Sequence, residues 1–350
     1  MFGPKPTPPH KQTMTDASRM TRENELKQWI EGIYPGVADT LTVASADASF
    51  RSYYRITLPD QSTRVVMDAP PALEDSRPFV DIASRLHKAG VHAPVVEHAD
   101  LSLGFMVLSD LGNIHYQDVL SLETARPLYE DAFAALIRMQ AIDPVGLPAF
   151  DEAHMRKEMD IFDEWYVGVH LKATLNEQQT KWLAEVKAAL VDNLAHQTQV
   201  FMHRDYHCRN LMYSTTDNPA VIDFQGAMRG PVSYDLASLL KDAYISWEEE
   251  QVLDWAIRYW SAARKAGVGV PDDFDHFYRD FEWAGVQRHL KIVGLFARLN
   301  HRDGKARYLD DLPLILTYLT KTCRRYRPLA PVARIIDDLQ GQQAQVGYTF

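Results

Sequence analysis

Three side chains suited to metal-assisted phosphate chemistry lie close together in the middle of the sequence. An apolar run ends at His203-Arg204-Asp205, Asn210 follows five residues after Asp205, and Asp223 comes directly after a second short apolar run. A turn rich in Thr, Asp, Asn and Pro lies between Asn210 and Asp223, so we predict a hairpin that brings the three side chains together. Phosphoryl transfer needs such a set, because the protein mainly positions Mg²⁺, nucleotide and acceptor.

The spacing of these residues assigns a role to each of them. The pattern H-R-D-x-x-x-x-N matches the catalytic loop of the protein-kinase fold, and V-I-D-F matches its metal-binding aspartate. By that match Asp205 accepts the proton of the acceptor hydroxyl, while Asn210 and Asp223 hold Mg²⁺. The alternative is that all three are ordinary polar turn residues. We favour the catalytic interpretation because both patterns occur in order, each beside an apolar run.

The composition is that of a globular protein. The chain has 350 residues, of which 46% are apolar and 24% charged, enough for one large or two medium domains. Its net charge of −10 argues against nucleic acid or an anionic membrane as the main partner. Cys208 and Cys323 have neither disulfide nor metal-site spacing, and no apolar run reaches about 18 residues, the length of a membrane span. We therefore expect a protein of the cytoplasm that neither spans nor binds membranes.

Short β-rich runs dominate the first third of the sequence. Residues 1–20 carry four of the nineteen prolines and little apolar surface, which predicts a disordered tail, and an amphipathic helix is expected from Arg22 to about Pro35. Three β-rich runs joined by short turns predict an antiparallel meander at residues 41–43, 51–58 and 64–67. A helix at residues 78–89 and strands at 95–98 and 104–108 complete this part.

The pattern changes near Gly112. Beyond it the sequence is mainly helical, interrupted by the hairpin that contains the three catalytic candidates. We therefore predict an α+β, two-lobed, protein-kinase-like fold. Its β-rich N-lobe would cover residues 21–111, and its mainly helical C-lobe would cover residues 112–350.

The order of these features resembles the aminoglycoside phosphotransferase (choline-kinase-like) family, small-molecule kinases with a protein-kinase-like fold. The resemblance covers most of residues 41–240 and ends with the motif Y-D-L-A-S-L-L. Within that family, further stretches look like the bacterial cell-wall amino-sugar kinases. These stretches are A-D-A-S-F-R-S-Y-Y-R at 46–55, V-V-M-D-A-P-P at 65–71 and R-H-L-K-I-V-G-L-F-A-R-L-N-H-R-D-G-K-A-R-Y-L at 288–309.

This resemblance implies an ATP- and Mg²⁺-dependent kinase that phosphorylates the anomeric (C1) hydroxyl of N-acetylmuramate and N-acetylglucosamine. In peptidoglycan recycling the sugar 1-phosphate would pass to a uridylyltransferase, towards UDP-N-acetylmuramate. Two alternatives stay open. One is a kinase of another small hydroxyl acceptor, such as an aminoglycoside, choline or homoserine. The other is a nucleotide-binding pseudokinase.

The resemblance also implies where the nucleotide binds. Adenine would meet backbone groups at the hinge that follows the last predicted strand of the N-lobe. The phosphates would lie beside a small-residue turn and the third strand of the meander. The residues implied in these contacts are Ser49, Phe50, Arg51, Met67, Ser109 and Leu111.

One departure from the kinase pattern concerns the phosphates. Kinases pair a lysine on the third strand with a helix glutamate, but here Met67 or Asp68 occupies the lysine position and the helix offers only Asp81. We expect Arg51 or Arg55 to replace the lysine, because guanidinium groups form strong charge-assisted bonds to phosphate. The missing lysine is the one feature that favours a pseudokinase.

The remaining assignments concern support of the catalytic loop and binding of the acceptor. By the resemblance Asp235 braces the loop from below, and His203 is expected to brace it as well. A basic helix beyond residue 287 would present cations to the lactyl carboxylate of N-acetylmuramate, although a solvated helix edge is the alternative for each residue. The candidate cations are Arg288, His289, Lys291, Arg298 and Arg302.

Overall fold

The structure is a computed structural model, and it describes residues 16–46 and 50–341. The chain divides into two compact units, and the first contains the residues up to Val80 together with Pro94–Asp110. The second contains Asp81–Ala93 and the chain from Leu111 onward. The sequence predicts one division after residue 111, whereas the structure also groups the segment Asp81–Ala93 with the second unit.

The first described helix is longer than the sequence predicts. Helix α1 spans Asp16–Ile33 and so begins four residues before the predicted end of the tail at residue 20, while residues 1–15 lie outside the described part of the chain. Leu26 and Ile30 are fully buried and pack against Val66 of the sheet in one apolar core. Burial of this stripe stabilises α1, because short helices gain most of their stability from packing.

The first unit is built on an antiparallel sheet with the strand order β1-β2-β3-β5-β4. The predicted meander is confirmed, and both later strands are present. The strands are β1 Thr42–Ala46, β2 Ser52–Thr57, β3 Thr63–Asp68, β4 Val96–Asp100 and β5 Phe105–Ser109. At the start of β5, Gly104 has a φ of 73°, and a Cβ there would lie 2.0 Å from the Ala69 carbonyl oxygen, so only glycine fits.

Helices make up most of the second unit. Helix α2, Arg77–Lys88, confirms the helix predicted at 78–89 and runs from the first unit into the second. None of the helices in the described ranges is both long and apolar enough to cross a membrane. The other helices are α3 Tyr116–Val119, α4 Ala125–Gln140, α5 Glu152–Ile161, a π-helix Phe162–His170, α6 Glu177–His196, α7 Tyr234–Leu240, α8 Glu249–Lys265, α9 Phe274–Asp303, α10 Leu312–Arg325 and α11 Ala330–Leu339, with 3₁₀ turns at Ala38–Thr40 and Ala306–Leu309.

Helix α9 is the long central helix of the second unit. It begins at the N-cap Asp273, whose side chain accepts a hydrogen bond from the His276 amide, and it ends at Gly304 in the left-handed region. In its middle, Gly294 lies against the end of α5, where a Cβ would approach the Ile161 carbonyl carbon to 2.3 Å. The absence of a side chain at residue 294 therefore allows α9 to pack closely against α5 and the π-helix.

Two short antiparallel ladders position the catalytic candidates. Strand β6, Gln199–Met202, pairs with β9, Met228–Pro231, and strand β7, Leu211–Met212, pairs with β8, Ala220–Val221. The predicted hairpin is thus confirmed as β7 and β8. Residues 203–210 form the loop between β6 and β7, and the chain between β8 and β9 carries the second acidic motif.

Candidate active site

A buried aspartate holds the start of the 203–210 loop. Both carboxylate oxygens of Asp235, in the first turn of α7, accept backbone hydrogen bonds, from the His203 amide at 2.7 Å and the Arg204 amide at 2.9 Å. The His203 ring donates from Nε2 to the Ile222 carbonyl at 3.0 Å, which joins the loop to the segment before Asp223. The two residues expected to brace the loop therefore contact its backbone or its neighbouring strand. Burial raises the pKa of Asp235, and the charge of His203 and these amide bonds oppose that effect.

The three catalytic candidates meet around the Asn210 side chain. Its Nδ2 donates to the Asp205 backbone carbonyl at 2.9 Å and lies 3.4 Å from Oδ2 of Asp223. Gln225 Nε2 donates to the other Asp223 oxygen at 2.6 Å. Asp223 has a φ of 60°, a left-handed conformation that is uncommon for residues other than glycine and that recurs at functional sites. Local backbone strain and two amide side chains thus orient the Asp223 carboxylate.

The donor set at this position suits a hard divalent cation. Because Asn210 uses its Nδ2 in both contacts, its Oδ1 is the atom that can serve as a metal ligand, beside the carboxylate of Asp223. Mg²⁺ prefers oxygen ligands and commonly takes one or two from the protein and others from substrate phosphates. Asn210 and Asp223 therefore fit the role that the sequence predicts for them.

The Asp205 carboxylate lies among cations and remains open to solvent. Its side chain is 40% exposed, and Nη2 of Arg288 on α9 lies 3.8 Å from its Oδ1. Partial desolvation by the surrounding protein opposes ionisation of Asp205, but the charges of Lys291 and Arg288, with smaller contributions from His207 and Arg204, hold its pKa below the ordinary value. The group is therefore a stable anion that can accept a hydrogen bond from a hydroxyl.

A buried glutamate connects the loop with α9. Glu158 on α5 accepts a bond from Arg204 Nη2 at 2.6 Å, and its Oε1 lies 3.2 Å from Lys291 Nζ. Gln287 Nε2 donates to its other oxygen at 3.3 Å. Burial disfavours the anion, but the charges of Lys291 and Arg204 outweigh burial and lower the pKa of Glu158. Glu158 was not among the predicted site residues, although its place beside Met159 on the buried face of α5 was the available signal.

The centre of the loop is fixed by a second buried aspartate. Asp242 Oδ2 accepts the Cys208 amide at 2.9 Å, and the Arg209 guanidinium lies 3.5 Å above the Tyr244 ring. The His207 ring packs edge-on against Tyr244, and burial lowers its pKa to about 4, so the ring is neutral near pH 7. Asp242 was not among the predicted site residues, because it acts through a backbone amide that no side-chain pattern marks.

The structure brings two of the five predicted acceptor cations near Asp205, and these are Arg288 and Lys291. The prediction is corrected for His289, which is buried, donates from Nε2 to the Lys241 carbonyl at 2.9 Å and stacks on Tyr318. For Arg298 and Arg302, which are farther along the helix, the acceptor role stays a prediction. These lie ten and fourteen residues beyond Arg288 on the same helix, about 15 and 21 Å along its axis at 1.5 Å per residue. Arg302 bonds the neighbouring Asp303.

Two of the residues expected to contact the nucleotide have other surroundings in the first unit. Ser109 uses its amide to bond the Val95 carbonyl at 2.9 Å, so this amide is already engaged, and the adenine contact from the Ser109 backbone stays a prediction. Met67 is fully buried within β3 and offers only apolar surface. Phe50 is partly exposed. Leu111 belongs to the second unit, and Ser49 lies outside the described residues.

The two candidate replacements for the strand lysine differ in their partners. Arg55 makes a bidentate pair with Asp110, with bonds of 2.5 and 3.0 Å. Arg51 is buried and pairs with Glu74, which lies in the segment before α2. The carboxylate paired with Arg51 therefore comes from the segment before α2, whereas Asp81 is the acidic residue that the sequence offers on the helix itself.

Asp81 accepts a hydrogen bond from Arg85, one turn along α2, at 3.0 Å. The other residue at the lysine position, Asp68, is also engaged, because its Oδ1 lies 2.6 Å from Nη2 of Arg22. The Arg51–Glu74 pair is thus a cation–carboxylate pair at the start of β2, one strand away from the third strand, which carries the paired lysine in other kinases.

Comparison with known proteins adds to this geometry. The model of the phosphotransferase enzyme family matches residues 40–274. The chain is 43% identical to the N-acetylmuramate/N-acetylglucosamine kinase of Neisseria meningitidis, over 95% of this chain and the full length of that protein. It is 47% identical to the protein of the same name from Pseudomonas aeruginosa, over 87% of this chain and 90% of that one.

Solved structures of lower identity share the fold. Amicoumacin kinase hAmiN, in complex with AMP-PNP, Ca²⁺ and Ami, aligns with a TM-score of 0.61 and 15% identity over 91% of this chain and 98% of that one. A choline/ethanolamine kinase family protein from Mesorhizobium loti aligns with a TM-score of 0.60 and 16% identity over 89% and 99% of the two chains. These likenesses confirm the predicted α+β, protein-kinase-like fold.

Proposed function

The chain belongs to the phosphotransferase enzyme family, and we propose that it transfers phosphate from ATP to the anomeric hydroxyl of N-acetylmuramate and N-acetylglucosamine. The observation that carries the proposal is the grouping of Asp205, Asn210 and Asp223 around one amide side chain. The choice of acceptor rests on the relatives of that name, which align with the chain over most of their length.

In this proposal Asp205 orients the acceptor hydroxyl and receives its proton. Because the surrounding cations keep the pKa of Asp205 low, the carboxylate is a weak base, suited to a hydroxyl that loses its proton late in the reaction. An anomeric hydroxyl is more acidic than an ordinary alcohol, so a weak base such as the Asp205 carboxylate is sufficient to receive its proton. The 40% exposure of the side chain leaves room for that hydroxyl.

Asn210 and Asp223 would hold Mg²⁺ in the same proposal. The metal supplies positive charge that offsets the charge of the nucleotide phosphates. Gln225 and Asn210 keep the Asp223 carboxylate in one orientation, and the His203–Ile222 bond keeps its segment beside the catalytic loop. The protein's contribution here is positioning, which is the main requirement of phosphoryl transfer.

The product would be a sugar 1-phosphate, which a sugar-1-phosphate uridylyltransferase would consume in peptidoglycan recycling. Because ATP is the donor, we place the reaction in the cytoplasm. The pseudokinase alternative rested on the missing strand lysine, and the buried Arg51–Glu74 pair offers a cation that weakens this objection.

The test is phosphorus NMR of the product after incubation with Mg·ATP and, separately, N-acetylmuramate, N-acetylglucosamine and kanamycin. We expect a new phosphorus signal coupled to the anomeric proton of both amino sugars and none with kanamycin. Phosphate on another carbon, or on kanamycin alone, would reject the acceptor while keeping phosphotransferase chemistry. Binding of ATP without transfer to any acceptor would support a pseudokinase.

A further inference from the structure

We propose that Arg288 and Lys291 form a subsite for the acceptor's carboxylate, so that they recognise the lactyl group that distinguishes N-acetylmuramate from N-acetylglucosamine. The inference rests on the proposed function and extends it to the discrimination between the two sugars. It is carried by the position of the two residues on α9, by the charges around them and by buried donors beside them.

The position of the pair matches the length of the sugar. Arg288 lies 3.8 Å from Asp205, the group that would orient the reacting C1 hydroxyl. Lys291 is three residues further on α9 and therefore on the same helix face, about 4.5 Å along the axis at 1.5 Å per residue. The lactyl ether is attached at C3, two carbons from the reacting C1. A sugar whose C1 hydroxyl contacts Asp205 can thus place its lactyl carboxylate near Lys291, about one helical turn beyond Arg288.

The charges around the pair favour a monoanion. Ion pairs join Arg204, Arg288 and Lys291 to two carboxylates, Asp205 and Glu158, so within these pairs the cations outnumber the carboxylates by one. The neighbouring carboxylate of Asp235 is held by the backbone amides at the start of the loop. Arg288 is 3% exposed at its side chain, so its charge is poorly screened by solvent. A bound carboxylate would neutralise the excess charge, whereas a neutral sugar would not.

Unpaired donors in the same place point to a ligand that accepts hydrogen bonds. Within the described part of the chain, Arg288 Nε, Arg204 Nε and the Tyr234 hydroxyl are buried and have no hydrogen-bond partner. The charged groups around Tyr234 include Glu158 and Arg288. Buried donors without partners are rare in proteins, and several of them around one excess positive charge suit a carboxylate.

Glu158 gives the subsite its fixed geometry. It holds the Lys291 ammonium at 3.2 Å and the Arg204 guanidinium at 2.6 Å, so the cations are ordered before the acceptor binds. Preorganised cations lose little freedom on binding, which increases their contribution to affinity. Glu158 is thus a positioning residue that acts through Lys291.

The experiment compares kcat/KM for the two sugars in the full-length protein and its Lys291→Met and Lys291→Arg variants. Removing a charge near Asp205 lowers turnover of both sugars, so the readout is the ratio of the two kcat/KM values. We expect Lys291→Met to lower the preference for N-acetylmuramate by about 10- to 100-fold, the effect of one lost charge-assisted hydrogen bond. Lys291→Arg should restore most of that preference.

Lys187→Met is the matched control, because Lys187 is also a buried lysine held by two carboxylates, Asp160 and Asp163. It should leave the ratio unchanged even if it destabilises the fold. An equal loss for both sugars in Lys291→Met and in Arg288→Met would overturn the subsite while the proposed function stands. If the wild-type protein phosphorylates neither sugar, the proposed function fails and the subsite fails with it.

Discussion

Nη2 of Arg288 lies 3.8 Å from Oδ1 of Asp205, close enough for charge attraction but beyond the reach of a hydrogen bond. The arginine therefore stabilises the anion without occupying the oxygen that an acceptor hydroxyl needs. The backbone of the same residue is held in place, because the Asn210 side-chain amide donates to the Asp205 backbone carbonyl. The geometry suits a group that orients a hydroxyl.

The first prediction concerns the variant Asp205→Asn, which keeps the shape of the side chain and removes its charge. We expect kcat to fall by about 100- to 10,000-fold, the usual contribution of a general base. Nucleotide affinity should stay the same, because Asn210 and Asp223 are unchanged. Steady-state kinetics and titration with a fluorescent ATP analogue measure the two effects. Retained turnover would exclude Asp205 as the base.

The second prediction concerns stability at mildly acidic pH. Burial lowers the pKa of His289 from 6.5 to about 3, and the charges of Lys241 and Arg288 contribute in the same direction. The unfolded chain therefore binds a proton as the pH falls below about 6.5, while the folded protein does not. Stability should thus be lost between about pH 6.5 and pH 3, and His289 alone accounts for about 2 kcal/mol between pH 7 and pH 5.

Urea unfolding at pH 7 and pH 5 measures this loss. In His289→Gln the amide side chain does not titrate, and it keeps a donor for the Lys241 carbonyl, so the loss on acidification should shrink by about 2 kcal/mol. His207, whose pKa burial lowers to about 4, should contribute a similar loss that persists in the variant. The same pH dependence in wild type and His289→Gln would contradict the assignment.

The catalytic trio was predictable because its members are close in sequence. Asp205, Asn210 and Asp223 lie within nineteen residues of the sequence. Strands β7 and β8 form a hairpin between Asn210 and Asp223, and the turn residues in that segment predict it. Local chain geometry therefore determines their proximity. The antiparallel meander was predictable for the same reason, since short turns join its strands.

The surroundings of the trio were not predictable in this way. Glu158 reaches Arg204 across forty-six residues, and the contact depends on how α5 and α9 pack. The helical pattern gives the buried face of α9 but does not distinguish Arg288, which reaches Asp205, from His289, which reaches the Lys241 carbonyl. Likewise Glu74 lies outside any regular element, so no periodic pattern marks it as the partner of Arg51.

The third prediction tests the close packing of α9. A Cβ at Gly294 would lie 2.3 Å from the Ile161 carbonyl carbon, a backbone atom that cannot move alone. We expect Gly294→Ala to lower the free energy of unfolding by about 1–3 kcal/mol or more, as overpacking does. Gly285→Ala is the control on the same helix, because its Cβ would meet side-chain carbons of Lys241, the nearer at 3.1 Å, and no backbone atom within 4 Å.

Denaturant unfolding of both variants measures the difference. In Gly285→Ala the helix propensity of alanine, worth about 1 kcal/mol over glycine, should offset most of any local strain. Gly294→Ala should also lower turnover, because a shift of α9 displaces Arg288 and Lys291 together. Equal stability of the two variants would show that α9 does not depend on the small residue.

The last prediction concerns the Arg51–Glu74 pair. The register of β2 and β3 places Ser52 opposite Asp68, so Arg51 lies beside the end of the strand that carries a lysine in other kinases. Its guanidinium is buried and paired with Glu74, as a kinase lysine is paired with a glutamate. Arg55 instead makes two bonds to Asp110. Of the two arginines, Arg51 is therefore the one we expect to bind the nucleotide phosphates.

We expect Arg51→Ala to weaken ADP and ATP binding by about 10- to 100-fold, as the loss of a charge-assisted bond does, with little effect on adenosine. Arg51→Lys should retain part of the affinity, and Glu74→Gln should have a smaller effect, because the glutamate only orients the arginine. Arg55→Ala is the matched control, in which a paired arginine of the same strand region is removed. Calorimetric titration with ADP and adenosine separates phosphate binding from general destabilisation, since a purely structural role would weaken both ligands by the same factor.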